Sequence, residues 1–313
     1  MRFPARLDCS PDLLRVPESL VRSSASTLLL VDGHAYAYRS FYAIRNLTAP
    51  DGAPTNAIFG FIKSTQKIRA RFQPTHMTVM WDGGLDEKRV EQLPQYKAQR
   101  PAMPEDLAKQ IGEIPKWLEA AGIHSICQDG VEADDLIATA TLRAEDMQVI
   151  IASPDKDFMQ LVRPRVGLLN PNDKTEIIWG AAEVRNKSGV NPDQIVDWLS
   201  LVGDAVDNIP GAKQIGPKTA AALLDQFGTL ENLLERLGEV KSDRQRAALL
   251  EASESLRRNQ QIIRLRADLS LPIEMSAMQC RAPNVDALCK FYERNGFGSL
   301  LAEAQRMRQV DLF

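Results

Sequence analysis

The sequence predicts an α/β fold with a mostly parallel central sheet, flanked by helices and followed by a helical region. Three observations support this prediction. Continuous apolar runs of strand length alternate with amphipathic helical segments, acidic residues stand at the ends of the runs, and the pattern beyond Gly180 is almost wholly helical. The 313 residues can bury a sizeable core, and 44% apolar with 25% charged residues is ordinary for a globular protein.

The apolar runs are continuous instead of alternating, which is typical of parallel strands that are buried on both faces. We expect strands at Thr27–Val31, His76–Trp81, Ile123–Cys127 and Met147–Ala152. Helical spacing predicts helices at Asn56–Phe72, Glu105–Ala121 and Ala133–Arg143, and another that begins near Pro154. A short strand pair is expected at Val166–Leu169 and Glu176–Trp179.

Two segments lie outside this pattern. Residues 83–104 are polar, mixed in charge and poor in core positions, which predicts a mobile insertion that carries a helix. Residues 1–26 contain prolines and no apolar stretch, which excludes a secretory signal and predicts a loosely ordered extension. We therefore divide the chain into this extension, an α/β domain at residues 27–179 and a helical region at residues 180–313.

Nine acidic residues recur at strand ends, helix starts and one loop: Asp32, Asp82, Glu132, Asp134, Asp135, Asp155, Asp157, Asp204 and Asp207. Each alone is explained as a turn residue or as an acid that complements a helix dipole. Together they indicate one site, because ligands of parallel sheets bind beyond the carboxyl ends of the strands. Without these nine acids the net charge of −3 becomes +6, so the remaining surface suits a polyanion.

Crowded carboxylates need divalent cations to offset their repulsion. Oxygen ligands without His or Cys favour Mg²⁺ or Mn²⁺ over Zn²⁺. Two such ions about 4 Å apart can stabilise both the attacking and the leaving oxygen of a phosphodiester. The four cysteines show no metal-ligand spacing, which also favours a reducing, cytoplasmic setting.

A second motif, "IPGAKQIGPKTA", lies between Asp207 and Gly228. It resembles a helix–hairpin–helix element at about residues 204–228, in which a glycine-bearing turn presents N–H groups to a DNA phosphate. The alternative is a plain helix pair with a glycine turn. The mixture of glycine, basic and small residues favours DNA binding, through Gly211, Lys213, Gln214, Gly216, Lys218 and Thr219.

In their order along the chain, these motifs resemble those of the 5′-nuclease superfamily, which includes the 5′→3′ exonuclease domain of bacterial family A DNA polymerases and the flap endonucleases. The matching motifs are "LLVDG", "YKAQRPAMPEDL", "GVEADDLIATA", "SPDKDFMQLV" and "GDAVDNIPGAKQIGPKTAAALL". The resemblance implies a PIN-like 5′-nuclease fold and a metal-dependent 5′→3′ exonuclease or 5′-flap endonuclease of DNA replication or repair. Because the chain ends at Phe313 without polymerase motifs, we expect a stand-alone nuclease.

The resemblance also implies two metal-binding sets. The first comprises Asp32, Asp82, Glu132 and Asp134, and the second comprises Asp155, Asp157, Asp204 and Asp207, with Asp135 between them. The hairpin is similar to an element that commonly holds K⁺. Gln214 stands where that hairpin usually has a glycine, so it must accept a positive φ or alter the turn.

Four further residues match positions that contact DNA in this superfamily. Tyr38 matches an aromatic side chain that stacks on a terminal base. Arg89, Lys97 and Arg100 match basic residues of a helical arch that contacts the scissile phosphate and encloses the 5′ flap. The alternative is a packed tyrosine and a soluble, charged loop.

Two other functions stay open. A catalytically silent DNA-junction binder would keep the fold without the chemistry, and a PIN-like ribonuclease would share the acidic pocket but lack the hairpin element. We expect a monomer in the cytoplasm, associated with the nucleoid, that acts on 5′ flaps, nicks or recessed 5′ ends without membrane contact. A separate polymerase and a sliding clamp are expected partners, because the tail Gln309–Phe313 resembles a clamp-binding peptide; the alternative is an accidental match.

Overall fold

Six strands form the central sheet of the computed structural model, which describes residues 26–310. They are β1 (Thr27–Asp32), β2 (His76–Trp81), β3 (His124–Cys127), β4 (Gln148–Ala152), β5 (Val166–Leu169) and β6 (Ile178–Trp179). Their order is β3–β2–β1–β4–β5–β6; all are parallel except β6, which is antiparallel to β5. A separate ribbon pairs β7 (Gly203–Asp204) with β8 (Ile209–Pro210).

The α-helices in the described part of the chain follow this order. They are α1 (Gly33–Ala43), α2 (Asn56–Phe72), α3 (Glu87–Gln92), α4 (Glu105–Ala120), α5 (Ala133–Arg143), α6 (Ala181–Ser188), α7 (Ile195–Val202), α8 (Pro217–Phe227), α9 (Leu230–Glu235), α10 (Asp243–Ile263), α11 (Val285–Arg294) and α12 (Gly298–Val310). Short 3₁₀ helices occur at Lys156–Leu161, Pro192–Gln194, Leu237–Glu239 and Met275–Met278. None of these helices is both long and apolar enough to cross a bilayer.

The side chains of β1 alternate between two apolar cores, one on each face of the sheet. Leu28 and Leu30 belong to the core beneath α5 and α7–α10. Leu29 and Val31 belong to the core beneath α1, α2, α4, α11 and α12. Because both faces are covered, the strand reads as a continuous apolar run. The observed layers confirm the predicted α/β fold with a parallel sheet.

The strand register brings several strand ends to one edge of the sheet. Asp32 pairs with Met80 of β2, and Val31 pairs with Ala152 of β4. Asp82 directly follows β2, and Asp155 follows β4 after a short turn. This edge is where a parallel sheet places its ligands.

Three elements differ from the sequence-based expectations. Helix α1 is not among the predicted elements, although it starts directly after Asp32. The helix expected near Pro154 is only a short 3₁₀ segment. Residues 83–104 carry a helix as predicted, but the segment packs onto the protein, since Leu93 and Tyr96 are 1% and 5% exposed.

The last described helices return to the sheet face that carries α1, α2 and α4. Trp117 of α4 donates a hydrogen bond from its indole nitrogen to the hydroxyl of Tyr292 in α11 at 2.9 Å. Phe59 of α2 packs edge-to-face on Phe297, with ring centroids 5.2 Å apart. The region predicted as a helical annex therefore contributes to the cores on both faces of the sheet.

Candidate metal centre and nucleic-acid interface

A cavity of about 500 Å³ opens at the carboxyl ends of the parallel strands. Five of the nine acids line it: Asp32, Asp82, Glu132, Asp134 and Asp155. A second cavity of about 280 Å³ is lined by four of them: Asp32, Asp155, Asp204 and Asp207. Since Asp32 and Asp155 line both cavities, the two spaces form neighbouring parts of one acidic cleft.

Asp32 occupies the point where β1 becomes α1. Its carboxylate caps the helix by accepting a hydrogen bond from the Ala35 N–H at 3.0 Å, and its other oxygen accepts one from the Ser153 hydroxyl at 2.8 Å. Burial raises the pKa of Asp32 to about 7, although both hydrogen bonds lower it. This carboxylate is therefore held in a fixed position at a cost that a bound cation would relieve.

Asp82 is positioned by the start of α5 and by a histidine. Its Oδ1 accepts a hydrogen bond from the Ala133 N–H at 2.8 Å. Its own N–H lies 3.1 Å from Nδ1 of His34, and the same Nδ1 lies 3.3 Å from Oδ2 of Asp82. Burial lowers the pKa of His34, although the neighbouring Asp82 charge raises it.

Asp134 and Asp155 both line the first cavity. The pKa of Asp134 lies well above its usual range because of burial and of the neighbouring charges of Asp155 and Asp32. Burial likewise raises the pKa of Asp155. Raised pKa values that result from burial and mutual repulsion are typical of functional carboxylate clusters.

Asp157, Asp204 and Asp207 form the tightest acidic group in the described residues. Each of them offers an oxygen within 4.8 Å of an oxygen of the others. Oδ1 of Asp157 is buried without a hydrogen-bond partner in the described part of the chain. A buried, unpartnered carboxylate oxygen costs free energy unless a cation binds it, so this hard-oxygen set fits a divalent ion.

Glu132 lies in the first cavity but is surrounded by donors from the segment 83–104. Lys97 donates to its Oε2 at 2.6 Å, and the Tyr96 hydroxyl donates to the same oxygen at 3.1 Å. Burial alone would raise the pKa of Glu132, but Lys97 and Arg89 hold it below the usual value. The structure thus brings Lys97 directly to the carboxylates, in a backbone conformation with φ of 56°.

Asp135 and Arg89, the expected metal ligand and phosphate contact, are paired with each other behind the cleft. Arg89 also lies near one cleft residue, because its Nη1 is 3.3 Å from Oε2 of Glu132. The Arg89 guanidinium donates to both carboxylate oxygens of Asp135, each at 2.8 Å. Both side chains are almost fully buried, and neither lines either cavity. We propose that the two residues form a structural ion pair, because each group already has its charge partner in the interior.

Arg100 and Tyr38 both line the first cavity, as their expected roles require. Arg100 donates to Oδ1 of Asp207 at 2.6 Å and keeps nearly half of its side chain exposed. The Tyr38 ring is half-buried. A guanidinium and an aromatic ring at the cavity wall can contact a phosphate and a base.

The predicted hairpin connects α7 to α8 through β7, β8 and a turn at residues 212–216. Gln214 has φ of 64°, so it accepts the left-handed conformation in place of the usual glycine. Gly211 cannot carry a side chain, because a Cβ there would lie 2.3 Å from the Val202 carbonyl group. Gly216 is the N-cap residue of α8 and has no side chain that could accept a hydrogen bond. N–H groups of the first helical turn are therefore free to bind an anion.

The basic residues of the hairpin are at the surface. Lys213 pairs with Glu251 at 2.7 Å, with both side chains well exposed. Lys218 and Thr219 line an open groove of about 370 Å³ beside α8. Lys241 lines the same groove. The structure therefore places these groups where they can reach a phosphate backbone.

Three residues of the site are not among the sequence-based candidates. His34 contacts Asp82, Ser153 binds Asp32, and Lys156 pairs with Asp204 at 3.0 Å. Each of them is adjacent or next but one to a predicted acid in "VDGH" or "SPDKD". That adjacency was the available signal, because residues beside a strand-end carboxylate share its edge of the sheet.

Comparison with known proteins assigns this architecture to a family. Residues 27–189 match the family model described as 5′-3′ exonuclease, N-terminal resolvase-like domain, and residues 190–286 match 5′-3′ exonuclease, C-terminal SAM fold. A 5′-3′ exonuclease of Aquifex aeolicus is 35% identical, and the match covers 90% of this chain and 96% of that protein. Thermostable DNA polymerase I of Thermus thermophilus is 40% identical, over 88% of this chain but only 33% of the polymerase.

Solved structures show the same fold at lower identity. The T5 D15 protein co-crystallised with metal ions superposes with a TM-score of 0.65 at 21% identity, covering 90% of this chain and 97% of that one. The catalytic core of Rad2 with DNA substrate gives 0.61 at 18% identity, covering 90% and 93%. From the two family models and the Aquifex relative, the chain belongs to the 5′-3′ exonuclease family.

Proposed function

We propose that this protein is a divalent-metal-dependent 5′ nuclease that hydrolyses DNA phosphodiester bonds at 5′ flaps, nicks and recessed 5′ ends. The observation that carries the proposal is the acidic cleft, with a three-carboxylate group beside a cavity lined by five acids. Two related proteins support it. The Aquifex relative is a 5′-3′ exonuclease, and a T5 flap endonuclease was crystallised with DNA and metal ions.

The carboxylates divide into two candidate metal sets. One comprises Asp32, Asp82 and Asp134, with Glu132 beside them, and the other comprises Asp157, Asp204 and Asp207. Asp155, which the resemblance assigns to the second set, lines both cavities and can serve either set. When bound, Mg²⁺ or Mn²⁺ ions at such sets supply charge stabilisation for the attacking and leaving oxygens of a phosphodiester. The products would carry a 5′-phosphate and a 3′-hydroxyl.

The cations around the cleft suit the proposed substrate. Lys97 forms an ion pair with Glu132, and Arg100 forms one with Asp207. Both positive charges therefore lie at the cleft, where we expect the scissile phosphate to enter. The hairpin at residues 212–216 would hold the duplex by a phosphate and, as in similar hairpins, by a K⁺ ion. The left-handed Gln214 preserves the turn that this role needs.

Two predicted partners remain part of this proposal without structural support. The tail Gln309–Phe313 lies outside the residues whose side chains the structure describes. Deletion of residues 311–313 should abolish capture by a bacterial sliding clamp, and unchanged capture would reject that prediction. A separate polymerase partner likewise stays a prediction.

The central test is cleavage of a 5′-flap DNA by Asp155→Asn. We expect its cleavage rate with Mg²⁺ to fall by at least about 100-fold, because the substitution removes the negative charge of Asp155, which lines both cavities. Asp146→Asn is the matched control, since Asp146 is an exposed acid outside the cleft. Flap binding, measured by fluorescence anisotropy in EDTA, should survive in both variants.

Three outcomes would reject the proposal. Full-rate flap cleavage in EDTA would exclude the metal-dependent chemistry. Cleavage of RNA flaps in preference to DNA flaps would favour the ribonuclease alternative, and flap binding without cleavage in Mg²⁺ or Mn²⁺ would favour the silent junction binder.

A further inference from the structure

Helix α1 presents a second, exposed tyrosine next to the one that lines the acidic cavity. Tyr42 is 65% exposed. It lies four residues after Tyr38 and therefore on the same face of the helix. The two ring centroids are 6.5 Å apart, and the ring planes are inclined by 28°.

The two rings form a row that leads out of the cleft. Asp32 caps the start of α1, and Tyr38 contributes to the cavity wall. At a rise of about 1.5 Å per residue, Tyr42 lies roughly 15 Å along the helix axis from Asp32. Phe41 supports its ring edge-to-face, with centroids 5.3 Å apart, so the exposed ring is also held in place.

The charges around this row suit a nucleic-acid strand. Residues 33–50 contain Arg39 and Arg45 but no Asp or Glu, although they adjoin the most acidic part of the molecule. Both arginines are exposed. Arg39 donates to the Asn172 side chain at 3.2 Å, and neither guanidinium pairs with a carboxylate of residues 26–310. Exposed aromatic rings between unpaired cations are typical of surfaces that bind single-stranded nucleic acid.

We propose that Tyr42 is a second stacking platform, which receives an unpaired nucleobase of the DNA strand that leaves the cavity along α1. The base on Tyr42 continues the row that begins at Tyr38, while Arg39 and Arg45 offset the adjacent phosphates. This inference rests on the proposed function, because it assumes a DNA strand in the cleft. It makes Tyr42 a positioning residue, since its ring is far from the carboxylates.

The test uses flap DNA with 2-aminopurine at successive unpaired positions, bound to the full chain in EDTA. The fluorescence of this base is quenched when it stacks. At one position we expect quenching by the wild-type protein and by Tyr42→Phe, but a clear increase with Tyr42→Ala. Flap DNA with an abasic site at that position should bind to the wild-type protein and to Tyr42→Ala with equal affinity.

Affinity and kinetics provide a second readout. Tyr42→Ala should weaken flap binding by about 5- to 100-fold, in line with the loss of one base–aromatic stack. In Mg²⁺ it should raise KM by a similar factor and leave kcat nearly unchanged. Leu142→Ala is the control for loss of an exposed apolar side chain elsewhere, because Leu142 is 46% exposed at the end of α5.

The outcomes separate this inference from the proposed function. If Tyr42→Ala binds like wild type and leaves 2-aminopurine quenched at every position, the stacking platform is rejected, even if the protein cleaves flaps. If wild type binds flaps and shows the Tyr42-dependent quenching but does not cleave them, the nuclease proposal fails and the platform stands.

Discussion

Arg89 forms a buried ion pair, although it belongs to the polar segment 83–104, whose sequence predicts exposure to solvent. Its guanidinium donates to both oxygens of Asp135, and its Nε donates to the Ile262 carbonyl at 2.9 Å. The Arg266 N–H donates to Asp135 as well, at 2.8 Å. One ion pair therefore connects α3, the start of α5 and the end of α10. Because α5 also carries Asp134, this pair positions a cleft carboxylate, and Arg89 reaches the cleft through Glu132, whose Oε2 lies 3.3 Å from Nη1 of Arg89.

Asp135→Asn should destabilise the protein without removing a metal ligand. The variant leaves the buried Arg89 charge poorly compensated, so we expect a loss of about 3 kcal/mol in unfolding free energy. Urea denaturation measures it, and Glu251→Gln in the exposed Lys213 pair should cost less than about 1 kcal/mol.

Calorimetry on the folded protein tests the second part of this expectation. Asp135→Asn should bind Mg²⁺ or Mn²⁺ with nearly the affinity of wild type, whereas Asp134→Asn should bind it much more weakly. Equal losses of metal affinity in both variants would return Asp135 to the ligand set.

At the scale of elements, the hairpin before α8 depends on two positions with opposite tolerance. A Cβ on Gly211 would meet the Val202 carbonyl group at 2.3 Å, while a Cβ on Gly216 would meet nothing within 4 Å. Gly216 also has an ordinary negative φ of −85°. The turn therefore needs one glycine for close backbone approach and tolerates a side chain at the other.

Gly211→Ala and Gly216→Ala form a matched pair for the hairpin. We expect Gly211→Ala to cost about 1–3 kcal/mol of stability, because the new methyl group overlaps backbone atoms that cannot move freely. Gly216→Ala should change stability by less than about 1 kcal/mol. Thermal unfolding and duplex binding by anisotropy measure both. Equal effects of the two substitutions would contradict the described turn.

The elements also show what the sequence can and cannot predict. Helix α2 and strand β2 have the predicted bounds, because their apolar residues repeat with the period of a helix or fill a buried strand. Helix α1 was missed because it follows β1 without a break and because four of its 11 residues are Tyr or Phe, whose helix propensity is modest.

Side-chain partners were harder to predict than elements. The strand-end acids were found because the ends of parallel strands share one edge. The pairing of Arg89 with Asp135 was not, because the two residues are 46 positions apart and only the packed segment brings them together. The same holds for Lys97 and Glu132, which are 35 positions apart.

For the molecule as a whole, the crowded carboxylates make stability depend on pH and on metal ions. Burial raises the pKa of Asp32 to about 7, and the pKa values of Asp134 and Asp157 are raised as well. Between about pH 4 and pH 7 the folded protein therefore keeps protons that the unfolded chain releases. The contribution of these groups to the free energy of unfolding falls as pH rises through this range. Bound divalent cations should remove that cost.

Asp32→Asn isolates this effect from the histidines, whose lowered pKa values act in the opposite sense. In EDTA we expect the substitution to raise the melting temperature more at about pH 8 than at about pH 5.5, since only at the higher pH is the carboxylate of the folded wild type mostly charged.

With Mg²⁺ at about 100 times its Kd, wild type should gain about 2.7 kcal/mol, and Asp32→Asn clearly less. Scanning calorimetry measures both quantities. A substitution effect that is the same at both pH values would reject the assigned pKa shift.

The return of α11 and α12 to the first sheet face has a consequence for synthesis. The apolar side of α4, including Trp117, is covered by Tyr292 and its neighbours, which leave the ribosome long after α4. The outer apolar side of α4 therefore stays uncovered until α11 and α12 are made, although α1, α2 and α4 can already cover this face of the sheet. The opposite face can already pack against α5 and the helices up to α10. A nascent chain paused near residue 280 would carry an uncovered apolar surface that recruits chaperones, and it would lose that surface once residues 285–304 emerge.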